Sequence, residues 1–190
     1  KDSLKQFTRY LPTLQLKKQQ LQTVIRQSSA EIEELKVKQK EAVDGMKSWI
    51  AVYGENSSWS EERSISHLVK VKEVKKTKGN IAGVEVPVFQ SLVFEDVPYD
   101  LRAYPLWVDK AIVALGEIAR YDALIETLKE RIKLLEKELR TTTQRVNLFE
   151  KVKIPEAKEN IRKIGIYLQD QQTSAVVRGK IAKKKLGKVS

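Results

Sequence analysis

Apolar residues recur along about the first fifty positions at alternating spacings of three and four residues. This spacing predicts one long helix with a single apolar seam, interrupted only at Lys18, Ser28 and Gln39. The seam consists of Leu4, Phe7, Leu11, Leu14, Leu21, Ile25, Ile32, Leu35, Ala42, Met46, Trp49 and Tyr53. A mean period of about 3.5 residues keeps the seam facing a partner helix, so the pattern indicates a left-handed coiled coil.

The same alternation returns near the other end of the chain. Its members are Ile118, Tyr121, Ile125, Leu128, Ile132, Leu135, Leu139, Thr142, Val146 and Phe149. The row then resumes one step out of phase at Ile154, next to Pro155, and continues through Ala157, Ile161, Ile164 and Leu168. A phase slip of this kind predicts a stutter, which locally unwinds a supercoil.

Two seams separated by a non-helical middle predict a mainly α fold, a long antiparallel two-helix coiled coil with a small β element at the elbow. The predicted segments are an N-terminal helix over 1–53, a β-containing elbow over 54–107 and a C-terminal helix with a basic tail over 108–190. We expect seam contacts among Leu21, Ile25, Ile32, Leu35, Ile125, Leu128, Ile132, Leu135, Leu139 and Val146. If Tyr53 pairs near Val108, the second helix extends past the first by about 30 residues, or about 45 Å.

Proline occurs in both helical rows. Pro12 removes one backbone hydrogen bond and crowds the preceding turn, so the first helix either kinks there or begins there. Pro155 would lie at about the same height in the pair, which allows either a bend in both helices or two locally tolerated prolines.

The middle segment is different in character. A polar break over 54–58 ends the first helix, residues 65–74 alternate weakly, and residues 75–80 resemble a turn. Strand-forming residues follow at Val84, Val86, Val88, Phe89, Leu92, Val93 and Phe94. Pro87 places this run at a sheet edge or a bulge. We therefore expect a two- or three-stranded element that packs on the coil or on another protein, because an isolated hairpin is marginal in water.

Composition fits long solvated helices, since charged residues make up 32% of the chain and aromatic residues only 7%. The absence of cysteine excludes disulfides and thiolate metal sites. No apolar stretch approaches the roughly 18 residues of a membrane span, so we expect an intracellular chain. It starts at Lys1 without methionine, and we expect residues upstream of it.

The net charge of +11 is concentrated at the end of the chain. Basic residues there without acidic neighbours are Arg178, Lys180, Lys183, Lys184, Lys185 and Lys188. Such a tail can bind nucleic acid, anionic lipid or an acidic protein cavity, or it can be a solvated end. Lysines 70, 72, 75, 76 and 78 form a second cluster, expected to be a solvated strand edge.

Catalytic constellations are missing from the sequence. His67 is the only histidine, and neither a Walker A phosphate loop nor a Gly-x-Ser-x-Gly motif occurs. Carboxylates such as Glu31, Glu34 and Glu136 fall on exposed helix faces, where they pair with lysine or arginine rather than form an acid–base site. We expect no enzyme activity, no cofactor and no metal.

A resemblance to a known family comes from the second helix. Residues 141–150 read Thr-Thr-Thr-Gln-Arg-Val-Asn-Leu-Phe-Glu, followed by the Ile154-Pro155 step and by Asn-Ile-Arg-Lys-Ile over 160–164. This stretch resembles the C-terminal helix signature of the D subunit of the V/A-type ATPases, with Phe149 where leucine is usual. Residues 11–17, 86–89 and 105–109 also resemble the family. The segment 169–178 departs from the common ending, which indicates a divergent bacterial branch.

The resemblance implies a non-catalytic rotor shaft that carries torque between the catalytic hexamer and the membrane ion-translocating ring. Implied partners are the catalytic and nucleotide-binding subunits of the hexamer, the small F subunit of the central stalk and a membrane-side funnel subunit, with the chain cytoplasmic and peripheral to the membrane. The small F subunit would bind the elbow, at Val86, Val88, Phe89 and Phe94. The hexamer would bind the tip, at Val176, Val177, Arg178, Lys180, Ile181, Lys183 and Lys184.

Two other classes of function fit parts of the pattern. Basic helical hairpins also bind structured RNA through phosphate contacts. Acidic residues are mixed among the basic ones along the helices, and Trp49, Trp59 and Trp107 lie away from the lysines, so we expect no nucleic acid partner. A passive coiled-coil scaffold is the third interpretation, but a scaffold has no need for the β element.

Overall fold

The computed structural model describes residues 1–54, 68–99, 104 and 107–186, with side chains for all of these except 48–54 and 186. In chain order the elements are α1 (Asp2–Gly54), β1 (Val71–Ile81), β2 (Val84–Phe94), α2 (Val108–Leu148), a π-helical turn (Phe149–Lys153) and α3 (Ile154–Leu186). The predicted class, mainly helical with an antiparallel helix pair and a β element between the helices, is confirmed.

The chain divides into two compact units. The central unit comprises Gln19–Arg140, and the terminal unit comprises Lys1–Lys18 together with Thr141–Ser190. α1 and α2 contribute residues to both units, whereas α3 belongs to the terminal unit.

Two apolar clusters hold the helices of the central unit together. The first is formed by Leu21 and Leu135, each 0% exposed, with Val24, Ile25 and Leu139 packed around them. The second brings Ile32 and Leu35 of α1 against Ile125, Leu128 and Ile132 of α2. Because the later residues of α1 meet the earlier residues of α2, the two helices run antiparallel.

A polar pair reports the register of these helices. In an antiparallel pair, the predicted pairing of Tyr53 with Val108 implies that Gln39 lies opposite Asp122. The structure agrees with this pairing, because Gln39 Nε2 donates a 2.6 Å hydrogen bond to Asp122 Oδ1. Polar seam residues are thus accommodated without a break in the helix pair. Gln39 is half-buried and Asp122 exposed, whereas Ser28 and Thr127 are buried, and the Thr127 hydroxyl donates a 2.7 Å hydrogen bond to the Ala123 carbonyl.

The sheet is a two-stranded antiparallel hairpin joined by Ala82 and Gly83. Both joining residues have positive φ, 51° and 80°, which suits the right-handed twist of a two-residue hairpin turn. The Asn80 side chain accepts a 3.0 Å hydrogen bond from the Gly83 N–H and closes the turn.

The turn predicted over residues 75–80 is wrong. Lys75 to Asn80 continue β1 and pair with Ser91 to Glu85 of β2. The lysines misled the prediction because solvent-facing strand positions tolerate them as well as turns do. Pro87 lies within β2 opposite Lys78, and both strands of a two-stranded sheet are edges, so the edge-strand expectation for Pro87 holds.

Bulges adjust the hairpin at two places, between Val71 and Glu73 and between Lys75 and Lys76. Gly79 shows a further local requirement. A Cβ there would lie 2.8 Å from Val88 Cγ2, so any other residue at this position would force the Val88 side chain to shift.

In the terminal unit, the rings of Phe7 and Phe149 pack 5.3 Å apart, and Thr142 and Val146 are buried. The phase slip predicted near Pro155 is present as the π-helical turn, in which Ile154 N–H bonds to the Phe149 carbonyl. A π turn accommodates one extra residue, so Phe149 and Ile154 are both half-buried despite their spacing of five.

The apolar row loses its cover after Ile161. Ala157 and Ile161 are half-buried, whereas Ile164 is 59% and Leu168 53% exposed, and these two positions lie in the stretch of the second helix predicted to extend past the first. α1 begins at Asp2 with Pro12 inside it, which excludes a helix start at Pro12.

Several predictions fall outside the described residues. They concern the side chains of Trp49 and Tyr53, the polar break after Gly54, Trp59, His67 and Lys188.

Leu135→Ala should destabilise the chain by about 2–5 kcal/mol, because it opens a cavity in the first cluster. Leu134→Ala is the matched control, since the neighbouring Leu134 is 41% exposed and its truncation should cost no more than about 0.5 kcal/mol. Urea unfolding followed by circular dichroism measures both. Equal effects would contradict the assignment of the seam.

Deleting Val152 should convert the π turn to α-helix without loss of thermal stability, because the spacing from Phe149 to the next seam residue becomes four. Deleting Glu136 is the control, because it breaks the regular spacing between Leu135 and Leu139 and should destabilise strongly. Calorimetry measures both midpoints. A large loss for the Val152 deletion would show that the extra residue is required for folding.

Candidate functional site

The hairpin is held against the helices by its inward face and by polar contacts. Val86 is 2% exposed and packs with Leu21 and Leu135, while Ile81, Ala82 and Val84 surround this cluster. Lys76 Nζ lies 2.6 Å from Glu130 Oε2, and Arg131 Nε donates a long 3.5 Å bond to the Pro87 carbonyl. The β element therefore packs on its own helix pair, with one face available to the outside.

The four hairpin residues singled out from the sequence lie in different environments. Val86 contributes to the core just described, Val88 and Phe89 are half-buried, and Phe94 is 38% exposed. Val86 is thus occupied by the chain itself, and a partner surface on the hairpin would consist of the other three.

A groove that the sequence analysis missed lies beside Phe94. It has a volume of about 410 Å³. It is lined by Leu68, Val69, Phe94, Glu95, Asp96, Val97, Tyr99, Ile112, Val113, Gly116, Glu117 and Arg120. The exposed Val113, 65% accessible and outside the seam spacing, is the one signal in the helical pattern that could have indicated it.

Tyr99 fixes the segment that forms one wall of this groove. Its hydroxyl donates a hydrogen bond to the Asp109 carboxylate in the first turn of α2, and its ring packs edge-on against Tyr104 with centroids 5.7 Å apart. This hydrogen bond raises the pKa of Tyr99 above its ordinary value, with smaller contributions from desolvation and from the Asp109 charge.

The predicted tip residues all lie on α3. Val176, Val177 and Ile181 are 58%, 49% and 51% exposed. Their basic companions Arg178, Lys180, Lys183 and Lys184 are exposed as well, and no ion pair involving these four occurs in the part of the chain that the structure describes.

The described residues contain no group of three or more histidine, cysteine, aspartate or glutamate side chains that could hold a metal ion. None of the helices in the described ranges is long and apolar enough to cross a membrane.

Comparison with known proteins gives a consistent result. Residues 1–184 match the family model of the ATP synthase D subunit. The V-type ATP synthase D subunit of Borreliella burgdorferi is 48% identical over 189 residues, which cover 98% of this chain and 89% of the relative. The D subunits of the V-type ATP synthases of Chlamydia muridarum and Chlamydia pneumoniae are 35% and 33% identical, over 93% and 98% of this chain and 86% and 88% of theirs.

The hydrogen bond from Tyr99 to Asp109 gives a pH prediction. Because the folded pKa of Tyr99 is raised, the stabilisation is complete below the unfolded value of about 10 and is lost as the pH rises through the folded value. Tyrosinate absorbance is measured against pH for the wild type and for Tyr99→Phe. The difference between the two absorbance curves reports Tyr99 and should have its midpoint at a pH above about 10. In an Asp109→Asn background that midpoint should fall back toward about 10. An unchanged midpoint would contradict the hydrogen bond.

Proposed function

Since the chain belongs to the ATP synthase D-subunit family, we propose that it is the central-stalk shaft of a V-type ATP synthase. In this role it carries torque between the catalytic hexamer and the membrane ion-translocating ring. It contributes no catalytic residue of its own. It is a peripheral, cytoplasmic component of the soluble sector of the complex.

The observation that carries this proposal is the distribution of exposed apolar residues on α3. Ile164, Ile166 and Val176 are 59%, 47% and 58% exposed. At about 100° per residue, Ile166 lies about 160° around the helix from Ile164, and Val176 lies about 80° from Ile166 and about 120° from Ile164. Exposed apolar residues on several sides of one helix indicate contacts with partners on more than one face. One partner helix would cover only one of these faces, whereas a ring of subunits would cover all three.

Charge supports the same assignment of the tip. The exposed basic residues of α3 lie among the apolar ones instead of on a separate face, since Lys183 and Lys184 follow Val176 and Val177 by seven residues and therefore lie about 20° from them around the helix. A cavity wall that combines apolar and acidic groups would complement this surface. We assign the residues from Val176 to Lys184 to contact with the catalytic and nucleotide-binding subunits.

The hairpin is assigned to the small F subunit of the central stalk. Val88, Phe89 and Phe94 provide its partly exposed apolar side chains, while Val86 holds the hairpin to the helices. The elbow segment, 54–107, is assigned to the membrane-side end, next to the funnel subunit. In this scheme 1–53 and 108–190 are the two helical segments of the shaft.

No observation favours the RNA-binding alternative. Two lysines of the basic hairpin cluster are paired within the chain, Lys76 with Glu130 and Lys78 with Glu85 at 3.2 Å. These pairs reduce the positive charge that the hairpin could offer to phosphates.

Single charge substitutions around α3 test the proposal. Ile164→Glu, Ile166→Glu and Val176→Glu should each weaken assembly with the catalytic hexamer by about tenfold or more, because each buries a carboxylate in an apolar contact. Val37→Glu is the control, since Val37 is 57% exposed on α1. Each variant is titrated into the purified hexamer, and the ATPase activity of the hexamer is measured at each concentration to follow assembly.

Deletion of residues 176–190 should leave the remaining chain folded, so that the helical circular dichroism signal falls only in proportion to the residues removed. Coupled ATPase activity or assembly of the complex should be reduced. Full activity and assembly after the deletion, or an effect at only one of the three substituted positions, would refute a tip surrounded by the hexamer. Loss of folding would show that the tip stabilises the chain itself.

A further inference from the structure

We infer that the groove beside Phe94 binds an amphipathic helix, carrying lysine or arginine at its flanks, from another subunit of the same ATP synthase. The inference rests on the proposed function and specifies the chemistry of a partner at the hairpin side of the molecule. The groove has an apolar floor, a length of about two helical turns and an acidic rim.

The floor of the groove is apolar and open. Val113 is 65% and Phe94 38% exposed, although both belong to a surface continuous with the buried Leu68. Gly116 lies beside Phe94, since a Cβ at that position would be in van der Waals contact with Phe94 Cζ at 3.6 Å, so a larger side chain there would extend into the groove. Neighbouring exposed apolar side chains around a concavity are typical of interaction sites.

The length of the groove suits two turns of a helix. Along α2 it extends from Ile112 to Arg120, which is eight steps of about 1.5 Å, or about 12 Å. A docked helix places anchors at i, i+3 or i+4, and i+7, over about 10 Å. The segment 94–99 forms the opposite wall, held to α2 by the Tyr99–Asp109 hydrogen bond.

The rim of the groove is acidic, in a chain whose net charge is +11. Glu95, Asp96 and Glu117 line it against one basic residue, Arg120. None of the three acidic side chains has an ion-pair partner within the described residues. Charge complementarity therefore favours a partner with basic flanks and disfavours an acidic one, including nucleic acid.

The identity of the occupant can be read by photo-cross-linking. The complex is assembled with p-benzoyl-phenylalanine in place of Val113, purified, irradiated and analysed by mass spectrometry. We expect an adduct on another subunit, in a segment with apolar residues at helical spacing flanked by lysine or arginine. An adduct within this chain, on a second copy of it, or on an acidic or extended segment would overturn the inference, as would no adduct.

Two pairs of variants measure how much the floor and the rim of the groove contribute to affinity. The binding partner in these measurements is the subunit identified by cross-linking. Gly116→Leu should fill the groove and reduce affinity about tenfold or more. Its control is Gly45→Leu, at a helical glycine with nothing within 4 Å of the added Cβ. Glu117→Lys should reduce affinity about two- to fivefold and flatten its salt dependence, while Glu136→Lys on the same helix should not.

Thermal unfolding of each variant separates lost binding from lost folding. A folded Gly116→Leu that binds as wild type would contradict the groove as the site. If wild type itself does not copurify with the ATP synthase subunits, the proposed function fails. If it copurifies but the cross-link lies elsewhere, only this inference fails.

Discussion

Burial of one apolar face of α1 against one apolar face of α2 is the interaction on which the central unit depends. Leu21, Ile32, Ile125, Leu128 and Leu135 are all below 10% exposure, and they lie at the spacing of a coiled coil. Their contact fixes the register that brings Gln39 to Asp122. It also creates the surface on which Val86 anchors the hairpin, and the hairpin depends on this contact because an isolated two-stranded hairpin is marginal in water.

The described apolar residues of α3 beyond Ile161 are not covered by the helix pair. The seam of the terminal unit ends at Ile161, yet α3 continues to Leu186 with apolar residues on several sides. Such a helix gains little from its own chain after that point, because a lone helix in water is marginal. Other subunits could bury the apolar residues that α3 exposes. This is the physical basis for proposing that the segment contacts the hexamer.

Much of this fold could be predicted from the sequence because helical burial is periodic. The spacing of the apolar rows predicted both helices, and the five-residue step from Phe149 to Ile154 predicted a local irregularity. The hairpin turn was missed since Ala82 carries no turn signal and the preceding lysines suit strands and turns alike. The groove was missed for a different reason: Leu68, Phe94 and Val113 come together only through the tertiary fold, which no local spacing encodes.

The proposed shaft role requires that α3 is exposed in the isolated chain and surrounded in the complex. Amide hydrogen exchange of α3, measured by mass spectrometry on the free chain and on the assembled ATP synthase, tests this most directly. In the free chain, peptides from 165–186 should exchange much faster than those from 19–47 and 118–140. In the complex, 165–186 should become protected while the other two regions stay protected. Strong protection of 165–186 in the free chain, or none in the complex, would contradict the account.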